Sequence, residues 1–190
     1  MKLRSFVSSA IVASTLLSSA AMAADGTITF TGLVTASACT AVAGVSTGGA
    51  PSKSATIVLP NVSTTAFSGL GDYTGYTQFN IQLTGCQAAS GLNNVRALFD
   101  SANTALAQGD GNVMANTAPS GAANVGVAIL TPGMVQIDLN GGTSKDPGDT
   151  LPATSGNVTL NYLAAYKALA ATGITAGPVT GVANYTISYF

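Results

Sequence analysis

The sequence has no His, no Glu and no Trp, and only 7% of its 190 residues are charged. A typical soluble domain carries about 25% charged residues. Without His, the commonest general base is missing, and few enzyme sites can be assembled from the side chains that remain. The six Lys and Arg residues are too few for the basic surface that binding to nucleic acid requires. The composition therefore argues against catalysis and against a nucleic-acid partner, and favours a chain that packs against copies of itself.

One catalytic motif is present by spacing alone. Gly44–Gly48 matches the GxSxG pattern of hydrolases, but the serine of that pattern needs a histidine base. The two cysteines form no CxxC motif, and no histidine is available to complete a zinc site. We therefore expect no catalytic residue, no metal and no cofactor.

The first 23 residues have the pattern of a secretory signal peptide. Lys2 and Arg4 precede an apolar stretch from Phe6 to Leu17, and Ala21-Met22-Ala23 has the small residues that a signal peptidase accepts. A membrane anchor is the alternative, but a span needs about 20 apolar residues and this stretch is shorter. Cleavage after Ala23 leaves four basic side chains against seven Asp, a net charge of −3. We expect the mature chain to be translocated across a membrane.

Cys39 and Cys86 are the only cysteines. In an exported chain, two cysteines are expected to pair. The disulfide would close a loop of about 48 residues, for which chain entropy predicts about 4 kcal/mol of stabilisation.

The remainder of the chain has the pattern of short strands separated by turns rich in Gly, Asn and Pro, which is typical of a β-sandwich. Leu160–Leu169 could be a helix by its Ala and Leu content, but we favour a strand in this context. The other predicted strands are Thr27–Val34, Thr56–Leu59, Phe79–Leu83, Val95–Phe99, Val125–Leu130, Met134–Leu139 and Val182–Phe190.

At both ends of the mature chain, apolar residues alternate with polar ones. One face of the first strand carries Ile28, Phe30, Gly32 and Val34, and one face of the last carries Ala183, Tyr185, Ile187 and Tyr189. A terminal strand left at a sheet edge is a template for another chain, and a short alternating arm can fill such an edge. The pattern alone leaves two possibilities: strand exchange between molecules, or pairing of both ends within one sandwich.

Several segments together resemble the major subunits of chaperone–usher pili, the type 1 fimbrial pilin family. Gly26–Gly32 looks like the N-terminal donor segment of that family, and Phe79–Cys86 looks like the strand that carries its second cysteine. The segments Ala38-Cys39, Ala123–Leu130 and the penultimate Tyr189 also follow the family's order. Two departures are the apolar last residue, Phe190, and the low charge of the donor arm.

The resemblance implies an incomplete immunoglobulin-like β-sandwich lacking its last strand, with an N-terminal donor-strand extension. It divides the chain into a signal peptide (1–23), a donor arm (24–37) and a pilin domain (38–190). The implied donor residues are Ile28, Phe30, Gly32 and Val34, and the implied groove or chaperone-recognition residues are Ala183, Tyr185, Ile187, Tyr189 and Phe190, the last through its carboxylate.

The resemblance also implies the partners: identical subunits in a filament, a periplasmic chaperone, an outer-membrane usher, and tip or adaptor subunits. The expected function is a structural subunit of an adhesive fimbria on the cell surface, polymerised head to tail by donor-strand exchange. The alternative is a minor or adaptor pilin, or a binding module of the same fibre that contacts a host receptor. A mature chain of this length leaves no room for an additional lectin domain.

Overall fold

The computed structural model describes residues 38–101, 105–139 and 146–190, and β-strands dominate these ranges. A short 3₁₀ helix occurs at Thr64–Ala66. None of the described residues lies in a helix long and apolar enough to cross a membrane. The strands are β1 (Ala41–Ser46), β2 (Tyr73–Cys86), β3 (Asn94–Asp100), β4 (Leu106–Ala107), β5 (Asp110–Ala115), β6 (Val125–Leu130), β7 (Asp149–Thr150), β8 (Gly156–Ala168) and β9 (Asn184–Tyr189).

These strands form two antiparallel sheets. The larger sheet has the order β1-β2-β8-β6-β5-β4, and the smaller has the order β7-β3-β9. A constant-type immunoglobulin domain places strands A, B, E and D in one sheet and C, F and G in the other. Here β1, β2, β8 and β6 correspond to A, B, E and D, while β3 and β9 correspond to C and F. The predicted all-β, immunoglobulin-like sandwich is therefore confirmed.

The position of strand G is not filled by any strand of the described residues. Strand β9 pairs with β3 along its whole length, from Val95–Tyr189 to Asp100–Asn184. Strand G of an immunoglobulin domain would lie on the other side of β9. In the part of the chain that the structure describes, β9 is an edge strand of its sheet.

The hydrophobic core lies between the two sheets, because buried and more exposed side chains alternate along the strands that face each other. In β2, the side chains of Phe79, Ile81 and Leu83 are buried, and the residues between them are only partly buried. Strand β3 buries every second residue in the same way. Each strand thus contributes one apolar face to a shared core, as period-two patterning requires.

Two sequence predictions about strands are wrong and one alternative is settled. Leu160–Leu169 lies mostly in β8 and is a strand, because cross-strand pairing with β2 and β6 outweighs local helix propensity. Met134–Leu139 makes only an isolated bridge from Gln136 to Leu130, since a turn and the left-handed backbone of Met134 (φ 65°) interrupt it. Thr56–Leu59 belongs to no strand of the described sheets.

The outer face of the large sheet carries an ion pair. Lys167 Nζ lies 2.5 Å from Asp110 Oδ2 and 4.9 Å from the centre of the Tyr73 ring. Burial alone would lower the pKa of Lys167, but hydrogen bonds and charge interactions with Asp110 and Tyr73 together outweigh burial and raise it. The charge of Lys167 is therefore compensated within the domain.

The Cys39–Cys86 disulfide predicted from the sequence is present. It joins the segment before β1 to the end of β2, next to a backbone hydrogen bond of 2.8 Å from Gln87 N to Ala38 O. Both cysteines are buried in the core. The bridge therefore ties the beginning of the described domain to its central sheet.

We expect the Cys39→Ala/Cys86→Ala variant to lose about 4 kcal/mol of unfolding free energy, because the unfolded chain regains the entropy of a loop of about 48 residues. Equilibrium urea unfolding measures this, with the oxidised wild-type chain as reference. A loss below about 1 kcal/mol would show that the bridge contributes little to stability.

Candidate functional site

An open apolar cleft runs alongside β9, on the side where strand G of an immunoglobulin domain would lie. Its volume is about 1150 Å³. One wall is the segment 179–189, which ends in β9, and the opposite wall is the segment 53–59 that follows β1. The two walls come from opposite ends of the described chain, so the cleft exists only in the folded domain.

The β9 wall presents alternate residues to the cleft. Ala183, Tyr185, Ile187 and Tyr189 line it, as does Asn184. The side chain of Thr186 points away from the cleft and is exposed. The wall extends over six residue steps from Ala183 to Tyr189, which is about 20 Å at the rise of a β-strand.

The floor of the cleft is the hydrophobic core itself. Phe79, Phe99, Met114, Ile129 and Ala164 line it, and all five are buried. Because the floor is continuous with the core, whatever occupies the cleft completes the packing of the sandwich.

An aromatic cluster fixes one part of this floor. The rings of Phe79 and Phe99 lie 6.3 Å apart, and Tyr162 stands edge-on to Phe99 at 5.0 Å. The Tyr162 hydroxyl accepts a hydrogen bond from Ala97 N (3.1 Å) and donates one to Asp146 Oδ2 (2.8 Å). The buried phenol is thus satisfied, and the cluster holds β3 against β8 with a defined shape.

The cleft is nearly uncharged. Burial raises the pKa of Tyr185 and of Tyr166, so both phenols stay neutral at physiological pH. Among the described residues that line the cleft, Lys53 is the only charged one. The described lining is therefore mostly neutral and apolar.

The C-terminal residue lies just beyond the cleft. Phe190 O accepts hydrogen bonds from Asn93 N (2.9 Å) and Asn94 N (2.8 Å), and Phe190 N donates to Asn94 O (3.0 Å). The guanidinium of Arg96 stands 4.0 Å over the Phe190 ring, a cation–π contact. These contacts hold the end of β9 against β3.

The structure places only part of the predicted site. The four alternating residues of the last strand line the cleft, whereas Phe190 is not among its lining residues. The predicted donor residues Ile28, Phe30, Gly32 and Val34 lie outside the described residues. The hydroxyl of Ser46, in the GxSxG pattern, bonds within its own turn, donating to Gly49 O and accepting from Gly48 N.

Sequence reasoning missed the second wall and much of the floor. Ile57 and Leu59 were included only in a predicted strand, yet they face the cleft. Pro60, which has no N–H for a sheet ladder, was the available signal that this segment stays outside the sheets. For Met114 and Ile129 no signal exists, because a floor residue and an ordinary core residue have the same pattern.

The comparisons with known proteins agree with one another. Residues 26–190 match the family described as fimbrial protein. The chain is 40% identical to the F17 fimbrial protein of Escherichia coli over 177 residues, which cover 90% of this chain and 91% of that protein. It is 34% identical to the major fimbrial subunit SMF-1 of Stenotrophomonas maltophilia (strain K279a) over 174 residues, covering 90% and 95%.

A solved structure shows the same architecture. The P pilus rod subunit PapA superposes with a TM-score of 0.58, covering 81% of this chain and 100% of that chain, at 19% sequence identity. Identity at that level supports the fold alone.

We expect Arg96→Ala to loosen the C-terminal end of β9. Loss of a cation–π contact of about 0.5–1 kcal/mol should make amide hydrogen exchange at Tyr189 and Phe190 about two- to fivefold faster. Exchange in the middle of β8 serves as the internal control and should not change. Equal exchange at Phe190 in the variant and the wild type would show that the Arg96 contact does not hold the strand end.

Proposed function

Because this chain belongs to the fimbrial protein family, we propose that it joins its neighbours in a fibre by lending its N-terminal arm to the cleft of the next copy. The chain is a structural subunit of a fimbria. The observation that carries the proposal is the open apolar cleft beside β9, where strand G of a complete immunoglobulin domain would lie.

The arm matches the cleft in length and pattern. From Ile28 to Val34 is six residue steps, about 20 Å in an extended strand, which equals the length of the β9 wall. Ile28, Phe30 and Val34 share one face, as apolar plugs for an apolar floor must. Full burial of each such side chain is worth about 1.5–3 kcal/mol. Gly32 has no side chain, so the backbone of the arm can approach the floor closely there.

The exchange produces a filament because it joins unlike surfaces. Each subunit offers an arm at one site and a cleft at another, so the contact is head to tail and does not close. The arm would complete the smaller sheet as strand G, antiparallel to β9. Every added subunit then presents a new cleft or a new arm, and growth continues.

An open cleft of this kind needs cover before assembly, because exposed apolar surface and strand edges promote aggregation. We assign that role to a strand of a periplasmic chaperone, with the Tyr189 end of β9 as its recognition site and the Phe190 carboxylate as its anchor. Residues 1–23 would direct export to the periplasm, and an outer-membrane usher would hand each subunit to the growing fibre. Tip or adaptor subunits would end that fibre. We assign the chain no catalytic role.

An aspartate in the wall of the cleft should block assembly. Ile187→Asp places a carboxylate where the arm would bury it, and an unpaired buried charge costs several kcal/mol. We expect at least about a tenfold drop in the rate at which purified subunits form multimers. Thr186→Asp is the matched control, since it adds the same charge on the exposed face of the same strand and should leave the rate unchanged. Equal rates for both variants would refute the assignment of the cleft.

Substitutions in the arm should also weaken the contact between subunits. Phe30→Ala removes an apolar plug worth about 3 kcal/mol, and Gly32→Leu overpacks the floor at a cost of about 1–3 kcal/mol. Both should keep the folded domain intact and reduce fibre yield in negative-stain microscopy of cells that express the variant. Thr31→Leu adds the same side chain as Gly32→Leu on the opposite face of the arm and should assemble normally. Normal fibres from Gly32→Leu would contradict the predicted direction of the arm's faces.

A further inference from the structure

The two ends of the cleft differ in charge. Lys53 is the only charged residue among the described residues that line it, and its side chain is exposed. The other end is lined by Val179, Val182 and Ala183, which are neutral and apolar. A charged partner would therefore bind differently at the two ends.

Backbone contacts fix the end at which Lys53 lies. Ser52, its neighbour, bridges to Val45, and Val45 pairs with Ile81 of β2. Further along the same wall, the Val58 carbonyl accepts a hydrogen bond from Thr77 Oγ1 (3.4 Å). The wall 53–59 therefore runs from the Cys86 end of β2 toward its Tyr73 end.

Strand β9 runs in the opposite direction along the cleft. Tyr185 pairs with Phe99, whose ring contacts Phe79 of β2, so Tyr185 lies toward the Tyr73 end. The last residue of the strand, Tyr189, pairs with Val95 near the start of β3. Lys53 therefore stands at the end of the cleft where β9 finishes.

The N-terminal arm has one charged side chain, and its sign is opposite to that of Lys53. In residues 24–37 the only charged side chain is Asp25. It precedes Ile28 by three residues, about 10 Å along an extended strand. By alternation it shares the face of the threonines, which points away from the floor. An exposed carboxylate at the beginning of the arm can thus meet an exposed lysine at the rim of the cleft.

Resting on the proposed function, we propose that Asp25 of an incoming arm forms an ion pair with Lys53 of the accepting subunit, and that this pair selects the direction of the arm. An arm antiparallel to β9 begins at the Tyr189 end and brings Asp25 to Lys53. An arm parallel to β9 would begin at the Ala183 end, where the described lining offers no charge. Lys167, by contrast, is already paired with Asp110. The occupant is the arm of a second copy of this chain.

The pair contributes modestly, as an exposed contact does. Exposed ion pairs are weak, and reversing one charge replaces attraction with repulsion of similar size. We therefore expect Lys53→Asp or Asp25→Lys alone to slow multimer formation about three- to tenfold at low salt. At about 1 M salt, where the screening length is about 3 Å, the difference from the wild type should disappear.

Mixing the two variants gives the sharpest test. In a mixture, the unchanged Asp25 in the arm of the Lys53→Asp chain meets the unchanged Lys53 of the other variant. In the reciprocal contact, the lysine introduced in the arm meets the aspartate introduced at the rim of the cleft. Both contacts then join opposite charges, so the mixture should form multimers at the wild-type rate with strict alternation of the two chains. The double variant Lys53→Asp/Asp25→Lys should likewise form multimers at the wild-type rate without a second chain, because its own arm and cleft again carry opposite charges.

The matched control is a mixture of Lys53→Asp with Asp149→Lys. Asp149 is exposed in β7 and does not line the cleft, so this mixture has the same total charge, but every arm in it carries Asp25 and meets a like charge at the cleft of the Lys53→Asp chain. The Asp149→Lys chain should polymerise with itself, whereas the clefts of the Lys53→Asp chain should stay largely unfilled. Urea unfolding of each variant checks that the domains remain folded.

The outcomes separate the two proposals. Filling of the Lys53→Asp clefts in the first mixture and not in the control supports the ion pair. Single variants that polymerise like the wild type, or folded variants that fail to recover on mixing, would overturn it while leaving donor-strand exchange standing. If the Ile187→Asp chain forms multimers as fast as the Thr186→Asp chain, the proposed exchange itself fails.

Discussion

The constraint on which this structure depends is a sandwich whose core is open along one side. The described strands account for positions A to F of an immunoglobulin-like domain, and the floor of the cleft is the same set of buried residues that holds the two sheets together. Burial of apolar surface dominates the stability of a small domain. A fold that leaves part of its core accessible therefore has a strong tendency to bind a strand from elsewhere. Binding of that strand and folding of the domain then depend on the same burial of apolar surface.

That constraint explains the unusual composition better than an absence of catalysis does. A strand that completes a core needs alternating apolar residues and no charge on the buried face, and the walls and floor of the cleft need the same. Low charge is thus expected of both the arm and its acceptor. It does not explain why the seven acidic residues are all Asp and none is Glu; nothing in the structure accounts for that choice.

Much of the fold could be predicted from local pattern, and the site only in part. Alternation identified β2, β3 and β9, whose alternate residues face the core, and the export context identified the disulfide. Strand β6 is a continuous apolar run that is buried on both faces. The segment 56–59 and the residues 134–139 were predicted as strands because β-branched content does not show whether a ladder partner exists. The floor of the cleft was invisible for a related reason, since Ile129 is patterned like any core residue. Only the spatial order of strands reveals which part of the core is left open.

The direction in which an arm lies in the cleft is a separate requirement from the affinity with which it binds. Apolar plugs at every second position can enter an apolar cleft from either end with similar burial, because period-two alternation is the same read forwards or backwards. Something asymmetric must therefore distinguish the two directions. Backbone pairing with β9 supplies part of the difference, because antiparallel and parallel ladders have different hydrogen-bond patterns. A single charge at one rim supplies another part, and it does so where it costs little, because Lys53 remains in solvent and needs no desolvation to act. In a nearly uncharged interface, that one charge has a larger effect on the direction of the arm than it would have on an ordinary surface, since few other charged groups compete for the arm.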